Sequence, residues 1–89
     1  MGAWTNLKAV LISATGSVGQ PQGRMREIYC KTSTAGGTVF VYDAAVTILA
    51  YELGGSSQAG FLFPDAGFRW STNCSVTGPT ASTITIIYD

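Results

Sequence analysis

The side chains of this sequence that could perform chemistry are five carboxylates and two cysteines, with no histidine among 89 residues. Histidine is the commonest general base and metal ligand, so its absence removes the usual catalytic triad and most acid–base schemes. The scattered carboxylates are Glu27, Asp43, Glu52, Asp65 and Asp89. Two of them could meet in the fold as a glycosidase-like pair, but a domain this small has little room for a cleft. The sequence predicts no catalytic, cofactor-binding or metal-ligating residue, and therefore no enzyme.

The two cysteines, Cys30 and Cys74, lie in runs of alternating apolar residues. A free cysteine in such a run behaves as a small buried hydrophobic side chain, and two cysteines without histidine cannot complete a zinc site. We expect both thiols to be reduced and in the core, with a single disulfide as the alternative. Asp43 and Asp65 are expected to accept hydrogen bonds from backbone N–H groups; calcium binding is an alternative that no motif supports.

Charged residues make up only 11% of the sequence, against about 25% in a typical soluble domain. Five basic residues balance five acidic ones, so no net positive field draws nucleic acid. Arg24 and Arg26 are two apart on one predicted strand, which points both to one face and predicts a local contact. So few charges predict an interface with other subunits; a soluble monomer covered with Ser, Thr and Gly is the alternative.

The elements that must position these side chains are strands, because β-branched and aromatic residues recur in short runs separated by Gly, Pro, Ser and Asn. Such runs occupy residues 7–13, 25–32, 38–43, 46–53, 58–63, 68–71, 74–77 and 83–88. Seven to eight strands predict an all-β fold, a small antiparallel β-sandwich or jelly-roll-like barrel over residues 7–89. Residues 44–53 are almost continuously apolar, so a helix is the alternative there.

Alternation along the runs predicts which side chains share a face. In 25–32 we expect Ile28 and Cys30 inside, with Glu27, Tyr29 and Lys31 outside. In 83–88 the two faces carry, respectively, Ile84 with Ile86 and Thr85 with Ile87. The strand aromatics expected in the core are Phe40, Tyr42, Phe61, Phe63, Phe68 and Trp70.

The remaining segments predict turns. Residues 15–23 are expected to form a flexible loop, because Gly, Ser, Gln and Pro dominate them. The glycines of 34–37 and 64–67 can adopt the positive φ that tight turns need. Between the predicted strands 68–71 and 74–77, Asn73 is the expected left-handed residue, since Asn tolerates that conformation.

Residues 1–6 form a short N-terminal arm ahead of the first predicted strand, and the arm contains Trp4. Tryptophan is enriched in interface hot spots, so we expect the arm and the 13–23 loop to contact a larger assembly. The candidate interface residues are Trp4, Asn6, Gln20, Gln22, Arg24 and Arg26. The apolar run 9–12 is too short for a signal-peptide core or a bilayer span, which predicts cytoplasmic synthesis and no membrane association.

An ordered series of pieces runs through residues 26–88. A strand, a polar Ala-Gly turn and a strand ending in an aromatic residue and Asp occupy 28–43. An aliphatic strand at 48–49, a Phe-Pro turn at 63–64, a Gly-aromatic strand at 67–70 and an apolar strand ending in Tyr at 83–88 follow. In this order the chain resembles a family of small virion proteins of tailed bacteriophages, over about two thirds of its length.

Two positions depart from the family pattern. Ala44 stands where the family often has Gly after the strand-ending Asp, and Asn73 stands where it often has Gly before the seventh strand. The resemblance implies a β-sandwich virion component that decorates the capsid or forms part of a tail or fibre.

We therefore expect a non-enzymatic virion structural protein, made in the host cytoplasm. The first hypothesis is a capsid decoration (cement) protein that stabilises the phage head, a homotrimer bound to the major capsid protein or another virion protein. The alternative is a tail or fibre component that binds a host receptor through Tyr29, Tyr51 and the glycine-rich loops. A carbohydrate-binding or assembly module of a cellular genome is the third hypothesis.

Overall fold

The computed structural model describes residues 7–33, 36–54, 58–63 and 67–89, with only the backbone of Phe61. The predictions for the arm with Trp4 and Asn6, for residues 34–35, for Asp65 in its turn and for the Phe61 side chain lie outside this description. The described residues form nine strands: β1 Lys8–Ser13, β2 Thr15–Ser17, β3 Gly23–Thr32, β4 Thr38–Asp43, β5 Val46–Glu52, β6 Gln58–Leu62, β7 Phe68–Trp70, β8 Cys74–Thr77 and β9 Ser82–Tyr88. The helix considered for 44–53 is wrong, since β5 occupies this segment.

The strands form two antiparallel sheets that pack as a small β-sandwich, as predicted. Sheet A has the order β1-β9-β3-β6, with β7 also paired to β3. Sheet B has the order β2-β8-β4-β5. Within the described residues no helix is long and apolar enough to cross a bilayer.

Strand β2 lies in the segment 15–23 that was expected to be a loop, and that part of the prediction is wrong. The chain leaves sheet A at Ala14, whose φ is 62°, and continues into sheet B as β2. Gly16 faces Ile12 so closely that a Cβ at Gly16 would lie 2.8 Å from the Ile12 Cγ2. Glycine is therefore required by packing in this strand, and its low β-propensity hid the strand from the sequence pattern.

The core lies between the inner faces of the two sheets, and the predicted alternation of β3 and β9 is confirmed. Ile28, Cys30, Ile84 and Ile86 are all at most 1% exposed. Sheet B contributes β-branched side chains from the other side. Both cysteines are buried and free, as expected for core thiols.

The aromatic side chains are distributed differently from the prediction. Trp70 is 3% exposed and belongs to the core, but Phe40 is 37% exposed. Along β4, Val39 and Val41 take the inward positions, so Phe40 and Tyr42 take the outward ones. Tyr51, a receptor contact in the tail or fibre hypothesis, is 7% exposed and packs in the core.

The turn before β8 also differs from the prediction. Gly36, Gly37 and Gly67 have positive φ as expected, but Asn73 does not. Asn73 instead donates its backbone N–H to the carboxylate of Asp43. The left-handed conformation occurs at Ala44, in the two-residue connection between β4 and β5.

Candidate functional site

Four of the predicted interface residues converge on one end of sheet A. Arg24 and Arg26 both bond the carboxylate of Asp89, with Arg24 Nη2 donating to Oδ2 at 2.9 Å and Arg26 Nη2 at 3.3 Å. Gln20 Nε2 donates to the carbonyl oxygen of Gln22 at 2.7 Å and to that of Asp89 at 3.2 Å. The structure thus brings these four residues together, and their role in an interface stays a prediction.

A bulge in β3 lies beside the carboxylate that both arginines bond. Met25 pairs with Tyr88 and Glu27 pairs with Ile87, which leaves Arg26 as the extra residue of β3. The side chain of Asp89 is only 9% exposed, and the Arg26 hydrogen bond together with the charge of Arg24 lowers its pKa. The cluster therefore holds the end of β9 against β3.

The same cluster borders an open cleft of about 590 Å³, whose lining includes Arg24, Arg69 and Trp70. The indole Nε1 of Trp70 donates to the carbonyl oxygen of Gln20 at 2.9 Å. Gly23 lies under this ring, and a Cβ there would come within 3.0 Å of Trp70 and 2.5 Å of Gln20 Nε2. The polar groups of Gln20 and Asp89 are thus engaged by the fold itself.

Asp43 has an equivalent position in sheet B, at the end of β4. Its carboxylate accepts the backbone N–H groups of Ser71 at 2.9 Å, Thr72 at 2.8 Å and Asn73 at 3.1 Å. Hydrogen bonds from Ser71 and Asn73 above all lower the pKa of Asp43 to about 2. The prediction that Asp43 binds backbone N–H groups is confirmed, although the donors lie in a turn distant in sequence.

The outer face of sheet A, which we call face A, carries exposed apolar side chains. Its outward residues are Ala9, Leu11, Ser13, Glu27, Tyr29, Lys31, Gln58, Gly60, Leu62, Thr83, Thr85 and Ile87. Leu11 is 70% exposed on one edge and Leu62 is 69% exposed on the other. Tyr29, at the centre, is 42% exposed and its hydroxyl donates to Glu27, whose carboxylate raises the pKa of Tyr29.

Tyr29 also covers Gly60 on the neighbouring strand. A Cβ at Gly60 would lie 2.4 Å from the Tyr29 ring and 2.6 Å from the carbonyl oxygen of Ile28. Beside this pair, an open cleft of about 570 Å³ extends to Lys31, Gln58 and Thr83. Face A thus presents aliphatic side chains at its edges and a shallow recess between them.

The outer face of sheet B, which we call face B, has a different composition. Its outward residues are Thr15, Ser17, Thr38, Phe40, Tyr42, Thr47, Ala50, Glu52, Ser75 and Thr77. The rings of Phe40 and Tyr42 have centroids 6.3 Å apart and planes inclined by 22°. Glu52 is the single charged member of this set, and it lies at the edge opposite Thr38.

The sequence pattern does not single out either face as a candidate surface. The signal was present in β4, where Val39 and Val41 alternate with Phe40 and Tyr42 and only one pair can be buried. For β1, the run 9–12 is apolar on both faces, so the sequence alone does not say that Leu11 is outside.

Among the described residues, no three His, Cys, Asp or Glu side chains lie close enough together to hold a metal ion. Compared with protein-family models, with curated proteins and with solved structures, the chain matches none. The fold is that of a small all-β sandwich with two chemically different outer faces.

Proposed function

We propose that this chain is a non-enzymatic structural protein that assembles through face A. Its most specific form is a capsid decoration protein that forms a homotrimer and stabilises a phage head. The observation that carries the proposal is the exposure of Leu11 and Leu62, 70% and 69%, on the two edge strands of one sheet face. Burial of a leucine contributes roughly 1.5–3 kcal/mol, so a neighbouring subunit gains stability by covering these side chains.

The size of face A indicates a contact that is weak on its own. Four strands and rows of about six residues span roughly 300–400 Å² in projection, from the usual strand spacing and rise. A stable interface buries about 800 Å² on each partner, so further surface must take part. The arm 1–6 and the segment 13–23 are the expected contributors to the shell contact, and many copies on one shell reinforce one another.

The engaged carboxylates support a role without catalysis. Asp43 binds three backbone N–H groups, and Asp89 binds two arginines. Both lowered pKa values keep these carboxylates ionised and hydrogen-bonded, whereas a general acid needs a raised pKa. The balance of five basic and five acidic residues favours a protein partner over nucleic acid.

The test compares phage heads that carry the wild-type chain with heads that carry the double variant Leu11→Ser, Leu62→Ser. We expect the variant to leave the heads and the temperature of DNA release to fall toward that of undecorated heads. Val46→Ser is the matched control, because Val46 is 63% exposed but lies outside face A. Heads with the same release temperature with and without the protein would exclude the decoration role.

Oligomeric state is measured separately by light scattering of the purified chain. The proposal expects a trimer for the wild-type chain and for Val46→Ser, and a shift toward monomer for the double variant. A monomer at high concentration would contradict the homotrimer while leaving the shell contact to be judged by the particle experiment.

A tail or fibre component that binds a host receptor is the second candidate. The exposed ring of Phe40 on face B favours it, whereas the buried Tyr51 no longer does. Antibody labelling of particles separates the two candidates: label over the whole head supports decoration, and label confined to the tail supports receptor binding.

A further inference from the structure

We propose that face B binds a neutral glycan chain, with Phe40 and Tyr42 as the stacking residues. The inference is independent of the assembly role of face A, because the two faces lie on opposite sides of the sandwich. It rests on the geometry of the two rings, on the groups around them and on the charge of the face.

The two rings, which together we call the platform, are neighbours on a rigid element. Phe40 and Tyr42 are two apart on β4, so both project from the same face, and β4 is held by β8 on one side and β5 on the other. The ring centroids are 6.3 Å apart and the planes differ by 22°. This spacing is close to the length of one hexose unit, so consecutive sugars of one chain can each lie against a ring.

Hydroxyl groups surround the platform in register with the rings. Phe40 lies between Thr77 and Ala50, and Tyr42 lies between Ser75 and Thr47. One strand further out, β2 adds Thr15 and Ser17. Serine and threonine hydroxyls both donate and accept, which matches the hydroxyl groups around the rim of a sugar ring.

The apolar C–H face of a hexose packs against an aromatic ring, while its equatorial hydroxyls point sideways to such partners. An aromatic ring offers a large apolar surface at low conformational cost. Because Phe40 and Tyr42 stand on a paired strand, the platform needs no rearrangement to bind, and this lowers the entropic cost of binding.

The charge of face B selects the class of glycan. Among the described residues that define face B, the single charged side chain is Glu52, at the edge beside Thr38, so none of them neutralises an acidic sugar or a phosphate. Nucleic acid also stacks on aromatic rings, but it requires basic residues along its backbone, and face B has none.

The experiment is an NMR titration of the isolated chain, labelled with ¹⁵N, with maltohexaose, cellohexaose and chitohexaose as probes. We expect shifts of backbone amides in β4, β8, β5 and β2 with at least one probe at millimolar concentration. Phe40→Ala and Tyr42→Ala should each weaken binding roughly tenfold or more. Phe40→Tyr keeps the aromatic surface and should therefore bind the oligosaccharide as the wild-type chain does.

Tyr29→Ala is the matched control, because Tyr29 is an exposed aromatic on face A. Its spectrum should change locally and its affinity for the oligosaccharide should not. Dispersed wild-type-like spectra of the alanine variants establish that they are folded.

Three results would overturn the inference: no shift with any of the neutral probes, binding that Tyr29→Ala weakens as much as Tyr42→Ala, or self-association of the chain that Phe40→Ala abolishes. The last result would assign face B to a second copy of the chain. None of them bears on the particle experiment, so the two proposals fail separately.

Discussion

Faces A and B come from the same alternation of side chains, yet they present opposite chemistry. Face A carries Leu11 and Leu62 at its edges with Glu27 and Lys31 between them, whereas face B carries two aromatic rings among hydroxyl groups. Aliphatic surface with scattered charges suits contact with another subunit, and rings with hydroxyls suit a polar ligand that stacks. A sandwich this small therefore offers two chemically different surfaces, one on the outer face of each sheet.

The largest expected effect tests the division between inside and outside that defines the faces. Ile86 is fully buried, and its neighbour Ile87 is half-buried on face A. Ile86→Ala should lower the free energy of unfolding by about 2–5 kcal/mol, because it removes core volume and leaves a cavity. Ile87→Ala should cost clearly less, and urea unfolding measures both. Equal losses would show that the register of β9 is not the one described.

The next effect concerns the end of sheet A, where Asp89 holds β9 against β3. Asp89→Asn removes the ion pairs with Arg24 and Arg26. Because the Arg24 side chain is 35% exposed and its ion pair is screened by solvent, the free energy of unfolding should fall by only about 1–2 kcal/mol. Lys8→Gln is the comparison, since Lys8 donates to Gln20 at an exposed position. A thermal unfolding curve for Asp89→Asn that overlays the wild type would remove this cluster from the account of the fold.

A smaller effect is expected at the end of sheet B, where the stability contributed by Asp43 should depend on pH. The folded pKa of Asp43 is about 2 against an ordinary value of 3.8, so the carboxylate binds protons less readily in the folded state. Its contribution to stability is therefore complete above pH about 4 and is lost as pH falls toward 2. Unfolding measured across this window should show a shallower acid-side loss for Asp43→Asn. An unchanged slope would contradict the lowered pKa.

The smallest effect is at the hairpin beside face B. Ala44 has a φ of 55°, in the region that glycine adopts without strain. Ala44→Gly should raise stability by up to about 1 kcal/mol, because the relief of strain exceeds the entropy that glycine loses on folding. Ala45→Gly is the control, because the neighbouring Ala45 does not have a positive φ. This substitution should lower the free energy of unfolding, since glycine loses more conformational entropy on folding. A loss of stability for Ala44→Gly of the same size would refute the left-handed turn.

Features of the fold that depend on neighbouring residues in the sequence were predictable, whereas features that depend on contacts between distant residues were not. The bounds of β4 and β8 and the alternation of β3 and β9 follow from residue types, since β-branched residues between turn residues leave little choice. Strand β2 was not predictable from the sequence, because glycine is uncommon in strands. At Gly16 it is required by the close approach of the Ile12 side chain, and that contact forms only when the chain passes from sheet A to sheet B.

The candidate surfaces show the same limit. Gln20, Gln22, Arg24 and Arg26 were chosen from their types, and the structure brings them together at Asp89, which no sequence pattern linked to them. Phe40 and Tyr42 were assigned to the core because they are aromatic, although the valines of the same strand compete for that position.

The sequence by itself determined that this is an all-β chain, poor in charge and without histidine, because composition and local alternation are properties of the chain alone. Tertiary structure decided which side of each strand is buried, which carboxylates are engaged and which aromatic rings stand in solvent. The physical reason is that a strand offers two faces and the core can accept only one, and the choice is made by the sheet that packs against it.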